Sequence, residues 1–76
     1  MKVYLEVSSW FKRYTSGNML VELDLPEGAP AMEALGLAGL PATEVGIISI
    51  NDGRADGATL LMDGDRIKVF PVIVGG

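Results

Sequence analysis

Hydrophobic and polar residues alternate along three segments of the chain, and this period of two predicts β-strands with one buried face. The apolar positions of the first segment are Val3, Leu5 and Val7. Those of the second are Val21, Leu23 and Leu25, and those of the last are Ile67 and Val69. Residues 14–18 have turn chemistry, so the first two strands are predicted to form a hairpin with a long loop.

A helical pattern starts after the second strand. Pro30 suits the first helical position, and Met32, Leu35 and either Ala38 or Gly39 are predicted to lie on one side of the helix. Two glycines weaken this segment, each by roughly 1 kcal/mol relative to alanine, and Pro41 ends it. We therefore expect a short helix that is held mainly by packing.

The second half of the chain predicts two more strands. Ile47, Ile48 and Ile50 indicate a buried strand, closed by a turn at residues 51–53. Residues 53–62 are expected to be a loop with one helical turn at residues 59–61. Asp63-Gly64-Asp65 is expected to form a tight turn that leads into the last strand.

The order strand, strand, helix, strand, strand predicts an α+β fold of the β-grasp type. We expect a mixed sheet of four to five strands, with one helix packed on one face and the first and last strands side by side in the centre. The β-grasp domain is expected to span residues 1–71, and residues 72–76 are expected to be a flexible C-terminal tail. The positions predicted to face the helix are Val3, Leu5, Ile67 and Val69, and those predicted to face outward are Tyr4, Glu6, Lys68 and Phe70.

Composition removes most enzymatic chemistry. The chain has 76 residues, enough for one domain, and contains neither cysteine nor histidine. This excludes disulfides, thiolate metal sites, cysteine nucleophiles and histidine general bases. We expect an accessory protein rather than an enzyme, with no bound cofactor.

The charge balance points toward protein partners. Six basic residues stand against ten acidic ones, a net charge of −4. Six basic residues are too few to bind a phosphate backbone, and we therefore expect no nucleic-acid partner. We expect instead a partner protein with a basic surface. We also expect no membrane partner and a cytoplasmic location, because no signal-peptide core or long apolar run is present.

Other candidate sites give weaker signals. The acidic residues around Asp63 and Asp65 do not have the spacing of a calcium loop, so turns with solvated carboxylates are favoured over a metal site. A ligand cleft of several hundred Å³ is not expected in so short a chain. Trp10-Phe11 is predicted to be a hydrophobic lid on the core rather than a stacking platform for bases.

The chain ends in Gly75-Gly76, preceded by an apolar run from Phe70. Glycine lacks a Cβ and can enter a narrow slot, so such an end could present its carboxylate to a partner's active site. The alternative is a frayed or incidental end. Phe70, Ile73 and Val74 could form a contiguous apolar patch beside it.

Residues 61–76, with the Asp-Gly-Asp turn and the terminal Gly-Gly, resemble the C-terminal part of the ubiquitin-like sulfur carriers. These include the small subunit of molybdopterin synthase (MoaD type) and the thiamine sulfur carrier (ThiS type). Trp10-Phe11-Lys12-Arg13 and residues 21–28 extend the resemblance, and Phe70-Pro71 favours the MoaD type. Val72 departs from the family, in which a second proline is common at this position.

The resemblance implies a mechanism and two partners. An adenylating enzyme related to ubiquitin-activating enzymes would use ATP to activate the Gly76 carboxylate, which then becomes a thiocarboxylate. A synthase large subunit would accept the sulfur, with the molybdenum or tungsten cofactor as the leading pathway. The residues implied to contact partners are Tyr4, Lys68, Phe70, Pro71, Val72, Ile73, Val74 and Gly75.

Other functions remain open from the sequence. Thiamine synthesis or tRNA thiolation could receive the sulfur, and a ubiquitin-like modifier would use the same activated Gly76 to form isopeptide bonds. A third alternative is a β-grasp interaction domain with an incidental Gly-Gly end.

Overall fold

The computed structural model describes residues 1–73, which form a five-stranded mixed sheet with a short helix across one face. The strands are β1 (Lys2–Val7), β2 (Leu20–Asp24), β3 (Val45–Ile50), β4 (Gly53–Ala55) and β5 (Arg66–Pro71). Helix α1 spans Ala31–Leu37, and two 3₁₀ helices span Ser9–Tyr14 and Ala42–Glu44. In the described part of the chain, no helix has the length and apolar composition needed to cross a membrane.

The strand order across the sheet is β2-β1-β5-β3-β4, with β1 and β5 parallel and the other neighbours antiparallel. This confirms the predicted β-grasp architecture, including the N-terminal hairpin and the pairing of the first strand with the last. Val3, Leu5, Ile67 and Val69 are all buried, as predicted. They share one apolar core with the buried side of α1, so burial of that core holds the helix on the sheet.

Helix α1 begins later than predicted and buries different side chains. Pro30 is extended, with φ −78° and ψ 159°, and precedes the first helical residue. Its backbone forms an antiparallel bridge with Leu60, which keeps it out of the helix. The buried residues of α1 are Ala31, Ala34 and Leu35. Met32 is 61% exposed and does not share the buried side with Leu35, contrary to prediction, because the buried i, i+3, i+4 stripe starts at Ala31 and places Met32 beside it.

Strand β3 is less buried than its three isoleucines predict. Only Ile48 is buried, whereas Ile47 is 39% exposed and Ile50 is half-buried. The reason is alternation along the strand, which turns Ile47 to the face opposite the helix, where it pairs with Phe70. The three isoleucines therefore indicate a β-strand, but they do not indicate that each of them is buried.

The predicted loop at residues 53–62 contains a strand instead of a helical turn. Asn51 and Asp52 both have positive φ, 51° and 69°, and they form the two-residue turn that joins β3 to β4. Further on, the predicted helical turn at residues 59–61 is wrong. There the Leu61 amide donates to the carbonyl of Ala29 at 2.8 Å, so the chain runs extended beside the start of α1.

The first 3₁₀ helix separates the two aromatic residues that the sequence places together. Phe11 is fully buried in the core, whereas Trp10 is 46% exposed. The interpretation as a hydrophobic lid therefore holds for Phe11 and is wrong for Trp10.

The acidic turn is a turn, as predicted, and its carboxylates accept backbone hydrogen bonds. Asp63 accepts from the Lys2 amide, and Asp65 accepts from the Met62 amide, each at 2.8 Å. Gly64 has a φ of +85°, a conformation that favours glycine. Within residues 1–73, no acidic cluster is arranged to ligate a metal ion.

Candidate partner-binding site

The site begins where β5 ends. The amide of Val72, the residue after the strand, donates to the carbonyl of Glu44 at 2.8 Å. Beyond it, Ile73 is 84% exposed. The sheet therefore releases the chain at Val72, within the segment that resembles the C-terminal part of the carriers. The predicted site residues Val74, Gly75 and Gly76 lie outside the described residues.

A β-bulge in β3 shapes this exit. Val45 pairs with Pro71 and Ile47 pairs with Phe70, which leaves Gly46 as the extra residue. A Cβ at position 46 would lie 2.9 Å from the Pro71 carbonyl oxygen, a distance that real Cβ contacts essentially never show. Glycine at position 46 therefore lets β3 approach the end of β5 at this point.

Glu44 connects the exit to the first 3₁₀ helix. Its Oε1 accepts a hydrogen bond from the Trp10 indole Nε1 at 3.0 Å, and its Oε2 accepts one from the Tyr14 hydroxyl at 2.7 Å. The Arg13 guanidinium lies over the Trp10 ring, 4.4 Å from its centroid, in a cation–π contact. Both carboxylate oxygens are thus bound by rings from one helical segment.

These contacts shift the pKa values of both titratable partners. The Tyr14 hydrogen bond, helped by the Trp10 hydrogen bond and the nearby Arg13 charge, holds the pKa of Glu44 below its ordinary value, and these effects outweigh the opposing effect of burial. The same hydrogen bond, together with burial and the charge of Glu44, raises the pKa of Tyr14 above its ordinary value. Glu44 is therefore an anion and Tyr14 a neutral donor near neutral pH.

An open groove of about 460 Å³ lies at the exit. Its lining residues are Trp10, Thr43, Glu44, Pro71 and Val72. The expectation that so short a chain has no cleft of this size is therefore wrong. Its walls come from the 3₁₀ helices and the end of β5, segments that are far apart in the sequence.

The outer face, defined as the sheet surface turned away from α1, carries several of the predicted partner-binding residues. Phe70 is 44% exposed and is paired with Ile47, so these two side chains form an apolar patch. Lys68 is half-buried and is paired with Glu6 of β1. Its Nζ lies 3.5 Å from Oδ1 of Asp52. Tyr4 on β1 is paired with Arg66 of β5. Because Arg66 precedes Phe70 by four residues, the two positions lie about 13 Å apart along the strand.

The structure places the predicted contact residues on two surfaces. Lys68 and Phe70 lie on the outer face, where Tyr4 lines a shallow depression with Lys68. Pro71 and Val72 line the groove at the exit, and the exposed Ile73 follows them. Glu44, Tyr14 and Gly46 were missed by sequence reasoning, and only Gly46 had a readable signal, since a glycine inside a strand pattern suggests a bulge.

Comparison with known proteins places this geometry in a family. A model of the family described as Mut7-C ubiquitin matches residues 28–74, more than half of the chain. The chain belongs to the Mut7-C ubiquitin family. The matched range includes α1, β3, β4 and β5, and therefore the bulge and the exit. A search of the curated proteins found none that matches.

Solved structures share the fold of this Mut7-C ubiquitin protein over nearly their full length. SAMP1 from Haloferax volcanii has a TM-score of 0.77 at 18% identity, with 100% of both chains covered. Subunit 1 of a molybdopterin converting factor from Pyrococcus furiosus has a TM-score of 0.75 at 22% identity, covering 96% of this chain and 99% of that one. The complex of subunits 1 and 2 of molybdopterin-converting factor from Helicobacter pylori matches with a TM-score of 0.66 at 23% identity, with 100% of both chains covered.

These similarities confirm the resemblance to the ubiquitin-like carriers at the level of fold. The similar chains are small proteins, and two of them are subunits of a converting factor. At these identities, likeness of fold does not by itself establish likeness of function. What they share with this chain is therefore the β-grasp fold, in which the last strand of this chain leads directly into its C-terminal segment.

Proposed function

We propose that this protein is a ubiquitin-like sulfur carrier, a protein co-substrate rather than an enzyme. The observation that supports the proposal best is the position of the β5 exit. Strand β5 ends at Pro71 beside an exposed apolar patch. Two residues later comes the highly exposed Ile73, which is followed in the sequence by Val74-Gly75-Gly76. A carrier needs such an arrangement, because a partner must bind the folded body while the chain end enters the partner's active site.

The proposed chemistry takes place on the C-terminal carboxylate of Gly76. The carboxylate attacks the α-phosphorus of ATP held by an adenylating partner, which forms an acyl-adenylate and releases pyrophosphate. Hydrosulfide from a sulfur donor then attacks the acyl carbon and displaces AMP, which leaves a thiocarboxylate and releases a proton. The protein supplies only the carboxylate, and four residues beyond Val72 reach at most about 13–14 Å.

A second partner would accept the sulfur. The Helicobacter pylori structure shows a subunit with this fold in complex with the second subunit of a molybdopterin-converting factor. By analogy we propose a synthase large subunit as acceptor, with molybdopterin synthesis ahead of thiamine synthesis and tRNA thiolation. Phe70, Val72 and Ile73 are the proposed contacts nearest the exit, Lys68 and Pro71 adjoin them, and Tyr4 extends the proposed contact surface beside Lys68.

A protein modifier is the second candidate function. It is favoured by the similarity to SAMP1, which is a small archaeal modifier protein. A modifier would use the same Gly76 adenylate, but a lysine amine of another protein would displace AMP and form an isopeptide bond. The two functions therefore share the activation step and differ in the nucleophile that follows.

The test of the shared step is ATP–pyrophosphate exchange catalysed by adenylating enzymes from the same source. Wild-type protein should support exchange, and Gly76→Val, which retains the folded body, should not, because its branched side chain obstructs a slot shaped for glycine. Leu37→Val, which also introduces a valine but at an exposed helix position away from the chain end, should behave as the wild type. Normal exchange with Gly76→Val would contradict the proposal.

A further inference from the structure

Glu44 joins three segments that are distant in the sequence. Its carboxylate is bound by Trp10 and Tyr14 of the first 3₁₀ helix, and its backbone carbonyl accepts the Val72 amide. The side chain thus ties the end of the second 3₁₀ helix to the first, while the main chain ties it to the end of β5. One residue connects the body of the domain to the point where the chain leaves it.

This connection restricts the backbone of Glu44. A carboxylate with one hydrogen bond on each oxygen is fixed in position and orientation, in contrast to a solvated surface glutamate. The Trp10 ring that donates one of these bonds is itself covered by Arg13. Within residues 1–73, the Val72 amide is the most C-terminal backbone donor in a hydrogen bond, so the Glu44 carbonyl sets where β5 stops being held.

We propose that Glu44, held by Trp10 and Tyr14, is a positioning residue for the C-terminal segment and acts through its backbone hydrogen bond to Val72. The two rings hold the Glu44 carbonyl in place, and this carbonyl fixes the position and direction of the chain at Val72. The consequence for activation rests on the proposed function. A chain end that leaves the body in a fixed direction loses less conformational freedom when it enters a partner's site, so it binds more tightly.

The structural part of the proposal is tested by amide hydrogen exchange in NMR, which requires no partner. In Tyr14→Phe and in the double variant Trp10→Phe/Tyr14→Phe, the Val72 amide should exchange faster, by roughly three- to tenfold in the double variant. The Val69 amide, in the middle of the sheet, should be unchanged. Tyr4→Phe removes the hydroxyl of the other tyrosine and is the matched control. An unchanged Val72 rate in the double variant would overturn the proposal.

The functional part is tested with the activating enzyme. Tyr14→Phe should raise KM by roughly threefold or more and leave kcat unchanged. The reason is that the direction in which the chain end leaves the body becomes less fixed, whereas the carboxylate that reacts is the same. Glu44→Gln, which retains an acceptor oxygen, should restore part of the affinity that Glu44→Ala loses. Glu33→Gln and Glu33→Ala, at an exposed helix position, are the controls for loss of charge.

The two readouts separate failure of the inference from failure of the proposed function. If wild-type protein is not activated, the carrier function fails, while the exchange rates still decide whether Glu44 positions Val72. If the Val72 amide exchanges faster but KM is unchanged, the positioning has no role in activation and that part of the proposal is overturned. A decrease in kcat alone would also contradict it.

Discussion

The backbones of Gly46 and Val72 approach so closely that a Cβ on Gly46 would lie 2.9 Å from the Val72 Cα. Gly46 is the bulged residue of β3, and Val72 is the first residue beyond β5. The bulge and the exit are therefore one structural unit. A change at position 46 is expected to act on the chain end.

Gly46→Ala should destabilise the fold and displace the end of β5. The added methyl group meets backbone atoms, which cannot rotate away as a side chain can, so we expect a loss of about 1–3 kcal/mol in the free energy of unfolding. Urea denaturation followed by circular dichroism measures this.

The matched control is Gly36→Ala. A Cβ at position 36 meets nothing within 4 Å, and the residue lies in α1. This variant should gain about 0.5–1 kcal/mol, because alanine is the better helix former. Equal stability of Gly46→Ala and the wild type would show that the close approach at the bulge is not a constraint.

Tyr14→Phe should raise the pKa of Glu44 toward its ordinary value. The Tyr14 hydroxyl is the largest cause of the lowered pKa, and removing it leaves the Trp10 hydrogen bond and the charge of Arg13. Carboxyl ¹³C chemical shifts followed through a pH titration measure this pKa directly. An unchanged Glu44 pKa in Tyr14→Phe would mean that the hydrogen bond is not formed in solution.

The same pair predicts how stability depends on pH. Because the pKa of folded Glu44 lies below its ordinary value of 4.5, its contribution is complete above about pH 4.5 and is lost as the pH falls through the folded value. The pKa of folded Tyr14 lies above 10.0, so its contribution is complete below that pH and is lost as the pH rises through the folded value. In Glu44→Gln, the part of the stability that Glu44 loses as the pH falls should be absent. Thermal melts of this variant and the wild type between about pH 3 and 7 would measure the difference.

Phe11→Ala should be far more destabilising than Trp10→Ala. Phe11 is fully buried, and truncating a buried phenylalanine costs about 3–5 kcal/mol. A domain of this size has a total stability of only about 4–11 kcal/mol, so Phe11→Leu serves as a milder second variant. Comparable losses for Trp10→Ala and Phe11→Ala, measured by urea denaturation, would contradict their placement on opposite sides of the first 3₁₀ helix.

Phe70→Asp should weaken binding to the activating partner while the fold is retained. Phe70 and Ile47 form the apolar patch nearest the exit, and burying a charge there should raise KM by roughly tenfold. Leu60→Asp is the matched control, since Leu60 is 66% exposed and lies beside Pro30, away from the exit. Equal effects of the two changes on KM would contradict the role of the outer face.

The alternating pattern was sufficient to predict the architecture. Val3 and Leu5 on β1, and Ile67 and Val69 on β5, define a buried face, and the element order then leaves few ways to cover it with one helix. The acidic turn before β5 was equally readable, because Asp and Gly have strong turn preferences. These features depend on local sequence alone.

The features that failed depend on contacts between distant segments. Pro30 is held outside α1 by its bridge to Leu60. Strand β4 is the exception, because the local two-residue turn at Asn51-Asp52 folds it onto β3. The link between Glu44 and Tyr14 spans thirty positions in the sequence. The hydrophobic pattern along the chain does not report contacts between residues that are far apart in the sequence. The groove at the exit, which such contacts form, could therefore not be predicted.

The central claim is that Gly76 carries sulfur, and intact-mass spectrometry tests it most directly. The protein would be incubated with an adenylating enzyme from its own source, ATP and a sulfur donor, beside a variant that lacks Gly75-Gly76. The full chain should gain the mass of one sulfur in place of one oxygen, and the shortened chain should not. An unchanged mass with every such enzyme, or a gain that persists without Gly75-Gly76, would contradict the claim.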